Sequence, residues 1–368
     1  MKSKQTTLAV FALAGLLAST NALAEKVVKV YNWSDYIGAD VIEKFEAETG
    51  IKVTYDVFDS NEVLEGKLLA GRTGYDVVVP TIDFMSRQIQ AGVFLPLDKS
   101  KLSNFSGLDA SFMENLSKLD PGNKYGIPYM WGTTGIGFNE AKVKEVLGED
   151  VPLDSWDLIF KKENLEKLSK CGVAFLDAPT EVYAAALHYL GKDPNSEDIK
   201  DYQGSAPAKE LLKSLAPSVT YFHSSKYIDD LAGGEICVSL GWSGDIAQAQ
   251  ADAAEADNGI EISYIIPKEG ALLWVDMFGI PKDAENVEEA HAFLNFLMKP
   301  EIAAENTNEI WYPNPVTASL EFVDEEIKSD ESIYPPADVK AKLYTATVKP
   351  AKIDRVLNRA WTEIKTGQ

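Results

Sequence analysis

Apolar positions in the first part of the chain change period in a regular alternation. Val27 to Tyr31 is a β-branched run, Val41 to Glu48 spaces Val41, Ile42 and Phe45 along one helix face that stops at Gly50, and Ile51 to Phe58 alternates as a strand. A helix over Glu62 to Ala70 and an apolar strand over Tyr75 to Val79 come next. The order β-α-β-α-β predicts a mostly parallel sheet with helices on both faces, an α/β unit.

From Gly126 the texture changes. Ile127 to Asn139 is extended and glycine-containing, without helical period, as a crossover between two lobes requires. A second α/β pattern follows: helix Trp156 to Ser169, strand Val173 to Leu176, helices Glu181 to Leu190 and Ala208 to Leu215, strand Ile236 to Gly241, and helix Asp245 to Ala256. Extended segments Glu261 to Ile266 and Leu272 to Ile280, a helix Val287 to Met298, a turn at Pro300 and a charged helix Ala351 to Thr366 complete it.

Composition adds a compartment. Lys2 and Lys4 precede the apolar run Leu8 to Ala18, and Ala22-Leu23-Ala24 closes it, the pattern of a cleavable secretory signal over residues 1–24 that is too short to span a bilayer. No cysteine stands directly after the cleavage site to take a lipid, so a soluble protein outside the cytoplasm, naturally a bacterial periplasm, is expected. The remaining chain of about 344 residues suits two cores better than one. Setting aside Lys2 and Lys4 turns 35 basic residues against 57 acidic into a net charge of about −24. Such a field disfavours nucleic acid, anionic lipid and anionic substrates, and it concentrates cations. Cys171 and Cys237, the two cysteines, are expected to pair in an oxidising compartment, closing a loop of about 66 residues. There is no CxxC, and His188, His223 and His291 are dispersed, so neither a metal nor a cofactor is expected.

Three units join a tryptophan to an acid: Trp33-Ser34-Asp35, Trp242-Ser243-Gly244-Asp245 and Trp274-Val275-Asp276. An indole face attracts a cation and a carboxylate binds it, so alternating the two builds a box for an aliphatic cation. Singly, Asp35, Glu181 and Asp245 read as acids near helix starts and the tryptophans as core residues. Position argues for more. Ser34 and Asp35 follow the first strand, Thr81 and Asp83 follow Tyr75 to Val79, Glu181 follows Val173 to Leu176, and Trp242 to Asp245 follow Ile236 to Gly241; open α/β sheets bind ligands beyond such strand ends. Asp276 falls inside an extended run. Tyr312 lies in the proline-fixed stretch Ile310 to Pro315, which reads equally as a rigid connection or as a phenol held against the crevice. Free amides at helix starts favour an anion. Five acids meeting there would instead demand a polyvalent cation or raised pKa values.

Longer blocks carry a resemblance. Val30-Tyr31-Asn32-Trp33-Ser34-Asp35-Tyr36-Ile37, Tyr75 to Pro80, Met130 to Gly137, Phe175 to Pro179, Leu190 to Ser196, Gly241 to Asp245 and Tyr312-Pro313-Asn314 are similar, in order and over the whole mature chain, to the periplasmic polyamine-binding proteins of ATP-driven importers, most of all the putrescine-binding members. The resemblance implies a two-lobe type II periplasmic binding protein, each lobe a mostly parallel sheet flanked by helices and joined by crossover strands. The lobes would be 25–132 plus 258–306 and 133–257 plus 307–368. It implies ligand contacts at Trp33, Ser34, Asp35, Tyr36, Thr81, Glu181, Trp242, Asp245, Trp274, Asp276 and Tyr312, a Cys171–Cys237 disulfide, and an inner-membrane ABC permease as partner. A monomer is expected. Thr81 and Asp83 stand where putrescine binders more usually carry serines, and Trp274 where they usually carry phenylalanine. An added carboxylate would anchor another amine and a larger ring would reshape the slot, which brings spermidine in beside putrescine. Other cations such as agmatine or cadaverine, and a secreted hydrolase using two of the carboxylates, are the competing readings. No GxSxG or HExxH supports the hydrolase.

Overall fold

The computed structural model describes residues 26–367, so the secretory segment 1–24 lies outside it. β1 (Val27–Trp33) pairs in parallel with β2 (Lys52–Phe58) on one side and β3 (Val77–Val78) on the other. The crossover helix Val41–Thr49 buries Val41 and Phe45 and ends where Gly50 takes a left-handed φ of 69°. Phe45 packs edge-on against Phe293 and Phe296 of the later helix Val287–Leu297, so a distant segment covers this sheet. The second crossover helix, Asn61–Ala70, starts at Ser60, whose side chain accepts the Val63 amide.

β4 (Gly126–Asn139) is long and almost wholly buried. β5 (Val173–Phe175), β6 (Tyr221–Phe222) and β7 (Val238–Trp242) form a second parallel set in the order β7-β5-β6. β8 (Ile262–Ile265) pairs with β4, and β9 (Leu272–Gly279) and β10 (Tyr344–Thr345) pair with each other. The full order is β2-β1-β3-β9-β4-β7-β5-β6. The parallel trios expected from the two α/β patterns therefore stand at either end of one open sheet. Antiparallel β9 and β4 join them: β4 pairs with β9 through its first part and with β7 through Thr134 to Phe138. The ladder between β4 and β9 shifts register between Pro128 and Trp131.

Two local expectations are corrected. Pro300 does not mark a turn; it opens the helix Pro300–Ile310 at the first helical position, where a missing N–H costs nothing. The single helix expected over 156–169 breaks at Lys161, whose ψ of 114° is extended, into Asp157–Phe160 and Lys162–Leu168; the Asp157 carbonyl accepts both the Lys161 amide and the Asn164 side chain across the break. The terminal helix Ala351–Thr366 buries Ile353, Leu357, Ala360, Trp361 and Ile364 along one stripe. Its Trp361 indole donates to Asp177, which ties the chain end to the second trio. Cys171 and Cys237 are disulfide-bonded, linking the loop before β5 to the start of β7. No described helix is long and apolar enough to cross a membrane.

Candidate functional site

Strand ends from both halves converge on one cavity of about 390 Å³. Trp33 closes β1, with its indole N–H donating to the Val79 carbonyl at 2.9 Å and its ring packed edge-on to Trp242 at 5.4 Å. Trp242 closes β7, and the helix Ser243–Glu255 begins at the next residue, which puts Asp245 in its first turn. Trp274 and Asp276 alternate along β9 and so share a face, while Thr81, just past the end of β3, bridges to Asp276 in the middle of the sheet. Tyr312 follows the helix Pro300–Ile310, whose end is turned by Trp311 at φ 60°, and packs against both Trp274 and Tyr36. Thus the three tryptophan-acid units contribute to a single enclosure.

Two glycines make the packing feasible. A Cβ on Gly244 would stand 2.5 Å from the Tyr312 ring, and one on Gly132 would stand 2.6 Å from the Trp274 indole. Glycine in the Trp-Ser-Gly-Asp unit is therefore a packing requirement.

The carboxyls are buried and unevenly satisfied. Asp245 accepts from the hydroxyls of Tyr227 and Tyr312, both at 2.6 Å. Glu181, third residue of the helix Pro179–Tyr189, accepts on one oxygen from Thr134 at 2.6 Å and the Trp242 indole at 2.9 Å. Asp276 keeps one oxygen without a partner, and neither the nearby Tyr36 hydroxyl nor the Trp274 indole N–H completes a hydrogen bond. Desolvation pushes Glu181 and Asp245 up to about 7, against the pull of their hydrogen-bond donors. It pushes Asp276 well above the usual carboxylate range, helped by the charges of Glu181, Asp83 and Asp245. Buried acids this close together resist ionising together unless a cation joins them. Aromatic faces on the remaining walls suit methylene groups and add cation-π attraction.

Of the twelve residues singled out in the sequence, Trp33, Ser34, Tyr36, Thr81, Glu181, Trp242, Asp245, Trp274, Asp276 and Tyr312 line this cavity. Asp35 and Asp83 do not. Asp35 is exposed on a left-handed turn at φ 52°, six residues ahead of the helix at Val41, so it is not at a helix start; it reaches Asp245 only through its charge. Asp83 points to a neighbouring cavity that shares the Thr81, Glu181 and Trp274 walls. Phe58, Asp59 and Ser224 line the main cavity without having been singled out. Asp59 follows β2 as Ser34 follows β1, so the strand-end rule applied evenly reaches it; Ser224 follows a two-residue strand that carries no periodic signal. Among the described residues no group of three His, Cys, Asp or Glu side chains is placed to hold a metal ion.

A buried acid-and-aromatic cavity between two α/β halves that share their central strands defines a solute-binding protein of the periplasmic type. The chain belongs to the bacterial extracellular solute-binding proteins, whose family profile matches residues 40–335. It is 56% identical over 97% of its length to the putrescine-binding periplasmic protein PotF of Escherichia coli, covering 96% of that protein. It is 55% identical to the putrescine-binding periplasmic protein SpuD of Pseudomonas aeruginosa, with both chains covered in full. Among solved structures it is similar to the spermidine/putrescine ABC transporter substrate-binding protein PotD of Streptococcus pneumoniae, with a TM-score of 0.71 and 28% identity over 93% of this chain and 99% of that one.

Proposed function

We propose that this protein is the solute-binding component of an ABC uptake system, capturing a polyamine in the cavity between its halves and delivering it to a membrane permease. The observation that carries the reading is the burial of Glu181, Asp245 and Asp276 in one aromatic-walled cavity. Two or three ammonium groups would restore their ionised forms through charge-assisted hydrogen bonds, while Trp33, Trp242, Trp274 and Tyr312 enclose the methylenes. Relatives named for putrescine binding at 55–56% identity support the same ligand class. The ligand is bound and released unchanged, the work of a binding protein and not an enzyme.

The segments 25–132 plus 258–306 and 133–257 plus 307–368 act as two lobes that close on the ligand, with β4 running from one into the other and β9 paired along it. Thr180 of the second half donates to Glu62 of the first at 3.1 Å, a contact that forms only when the halves are together. The closed surface is what the permease reads. The protein works in the periplasm as a monomer after removal of residues 1–24, where the Cys171–Cys237 bond is chemically at home.

Calorimetry on protein unfolded and refolded free of carried ligand tests this. Putrescine, spermidine, cadaverine and agmatine are titrated in turn, and at least one is expected to bind tightly, with Asp245→Ala weakening it at least a hundredfold, about 3 kcal/mol. Absence of binding by all four would defeat the proposal.

A further inference from the structure

Beside the main cavity lies a second one of about 340 Å³, sharing Thr81, Glu181 and Trp274 with it and holding Asp83 and Lys349 of its own. Lys349 is only 3% exposed, and its ammonium makes no hydrogen bond. A buried lysine without a partner is costly and is usually replaced by an apolar side chain unless its charge has a use.

The charges around it are Asp83, Asp354, Asp193 and Arg87. Asp354 is held by Arg87 at 2.6 Å, and Arg87 also forks onto Glu65 with both contacts at 2.8 Å. Asp193 accepts the Asn195 amide at 2.9 Å in an exposed turn. Asp83 accepts only the Thr81 hydroxyl at 2.8 Å. Asp83 shares the second cavity with Lys349 and, unlike Asp354, is not held by Arg87 in an ion pair, although the Arg87 charge also acts on it. Burial pushes the Lys349 ammonium down, and Asp83 leads the carboxylates that oppose the shift.

We propose that Lys349 is a resident ammonium that closes the far end of the polyamine slot. It supplies from the chain itself the positive charge that Asp83 would otherwise take from the third amine of a longer ligand, and so sets the site for diamines. This rests on the polyamine reading of the main cavity. A triamine lying across Glu181 and Asp276 would pass the Thr81–Trp274 wall into the second cavity and meet Lys349 at short range, like charge against like in a poorly solvated space. A diamine stops before it. The expectation that Asp83 anchors a further amine is thereby reversed: its counter-charge is already present.

The test is calorimetry with putrescine and spermidine on the refolded, ligand-free chain, wild type against Lys349→Gln. The wild type is expected to prefer putrescine. Lys349→Gln is expected to raise spermidine affinity about tenfold or more while putrescine changes by less than about twofold, and Asp83→Asn added to it is expected to cancel the gain. A wild type that binds spermidine as tightly as putrescine, or a Lys349→Gln variant in which the ratio stays put or both affinities fall together, overturns the proposal. Lys349→Met, an apolar chain of similar length, gives the same readout if the glutamine variant does not refold. Failure of the wild type to bind either amine would instead sink the polyamine reading, so the two failures are separable.

Discussion

Tyr312 and Asp245 hold each other reciprocally: the phenol donates to the carboxylate at 2.6 Å and accepts the Asp245 backbone amide at 3.0 Å. The pair spans 67 positions of sequence and fixes an acid at the start of one helix by a phenol beyond the end of another. Removing that hydroxyl leaves a buried carboxylate and a buried amide each short of a partner, at roughly 1–3 kcal/mol. Tyr312→Phe is therefore expected to lose about ten- to hundredfold in polyamine affinity with an unchanged circular dichroism spectrum. Full-strength binding by this variant would show that the pair does not position Asp245.

Gly244 tests the same joint sterically. Its Cβ would collide with the Tyr312 ring, so Gly244→Ala must move the phenol or the helix start. A loss of affinity at least as large as in Tyr312→Phe is expected, together with a lowered melting temperature. Wild-type values in both measurements would mean that the ring has room to retreat.

The raised acids make ligand-free stability depend on pH. Glu181 and Asp245 titrate near 7 when folded, against 4.5 and 3.8 as ordinary carboxyls. A folded pKa above the unfolded one contributes stability that is complete below about pH 4 and is lost as pH rises through about 7. Between about pH 4 and 7 the ligand-free protein should thus lose these groups' contribution, and Asp245→Asn should lose less. Calorimetric melting of both proteins without ligand measures the difference; an identical pH slope in the two would refute the assignment.

Binding should run the opposite way. A cation needs the carboxylates ionised, so its capture releases protons below about pH 7 and affinity climbs with pH to a plateau above it, by roughly tenfold per pH unit for each proton released. Glu181→Gln keeps the bonds from Thr134 and Trp242 in reach while deleting one charge. Titrations in buffers of different ionisation enthalpy count the protons, and the variant should release fewer than the wild type.

The Cys171–Cys237 bond closes a 66-residue separation within the second half, away from the cavity. Loop entropy assigns it on the order of 4 kcal/mol. Serine at both positions should lower the urea midpoint accordingly and leave polyamine affinity within about twofold of the wild type. A large affinity loss would mean that the bond also shapes the cavity.

The strands were legible in sequence because buried parallel strands are short, apolar and β-branched, and their ends pointed to Ser34, Thr81, Glu181 and Asp245. That rule ranks residues by chain position and not by which way a side chain points, which explains Asp35 and Asp83. Asp35 turns outward because its backbone is left-handed, and Asp83, two residues past Thr81 in the helix Ile82–Gln90, faces the adjoining cavity. Lys349 was invisible: one lysine ahead of Pro350 has no periodicity, and only the packing of the chain end against the site makes it matter. Pro300 misled for a related reason, since proline ends a helix or opens one and sequence alone does not say which.

The sharing of β4 and β9 has a consequence for how the protein is made. Val78 pairs with Gly279, about two hundred residues further on, so the first trio cannot be joined to the central strands until most of the chain exists. Neither half is then a separable folding unit, and cutting the chain between them would leave each without its central antiparallel pair. Such high contact order implies slow folding, because the loop entropy is lost before the distant pairing rewards it.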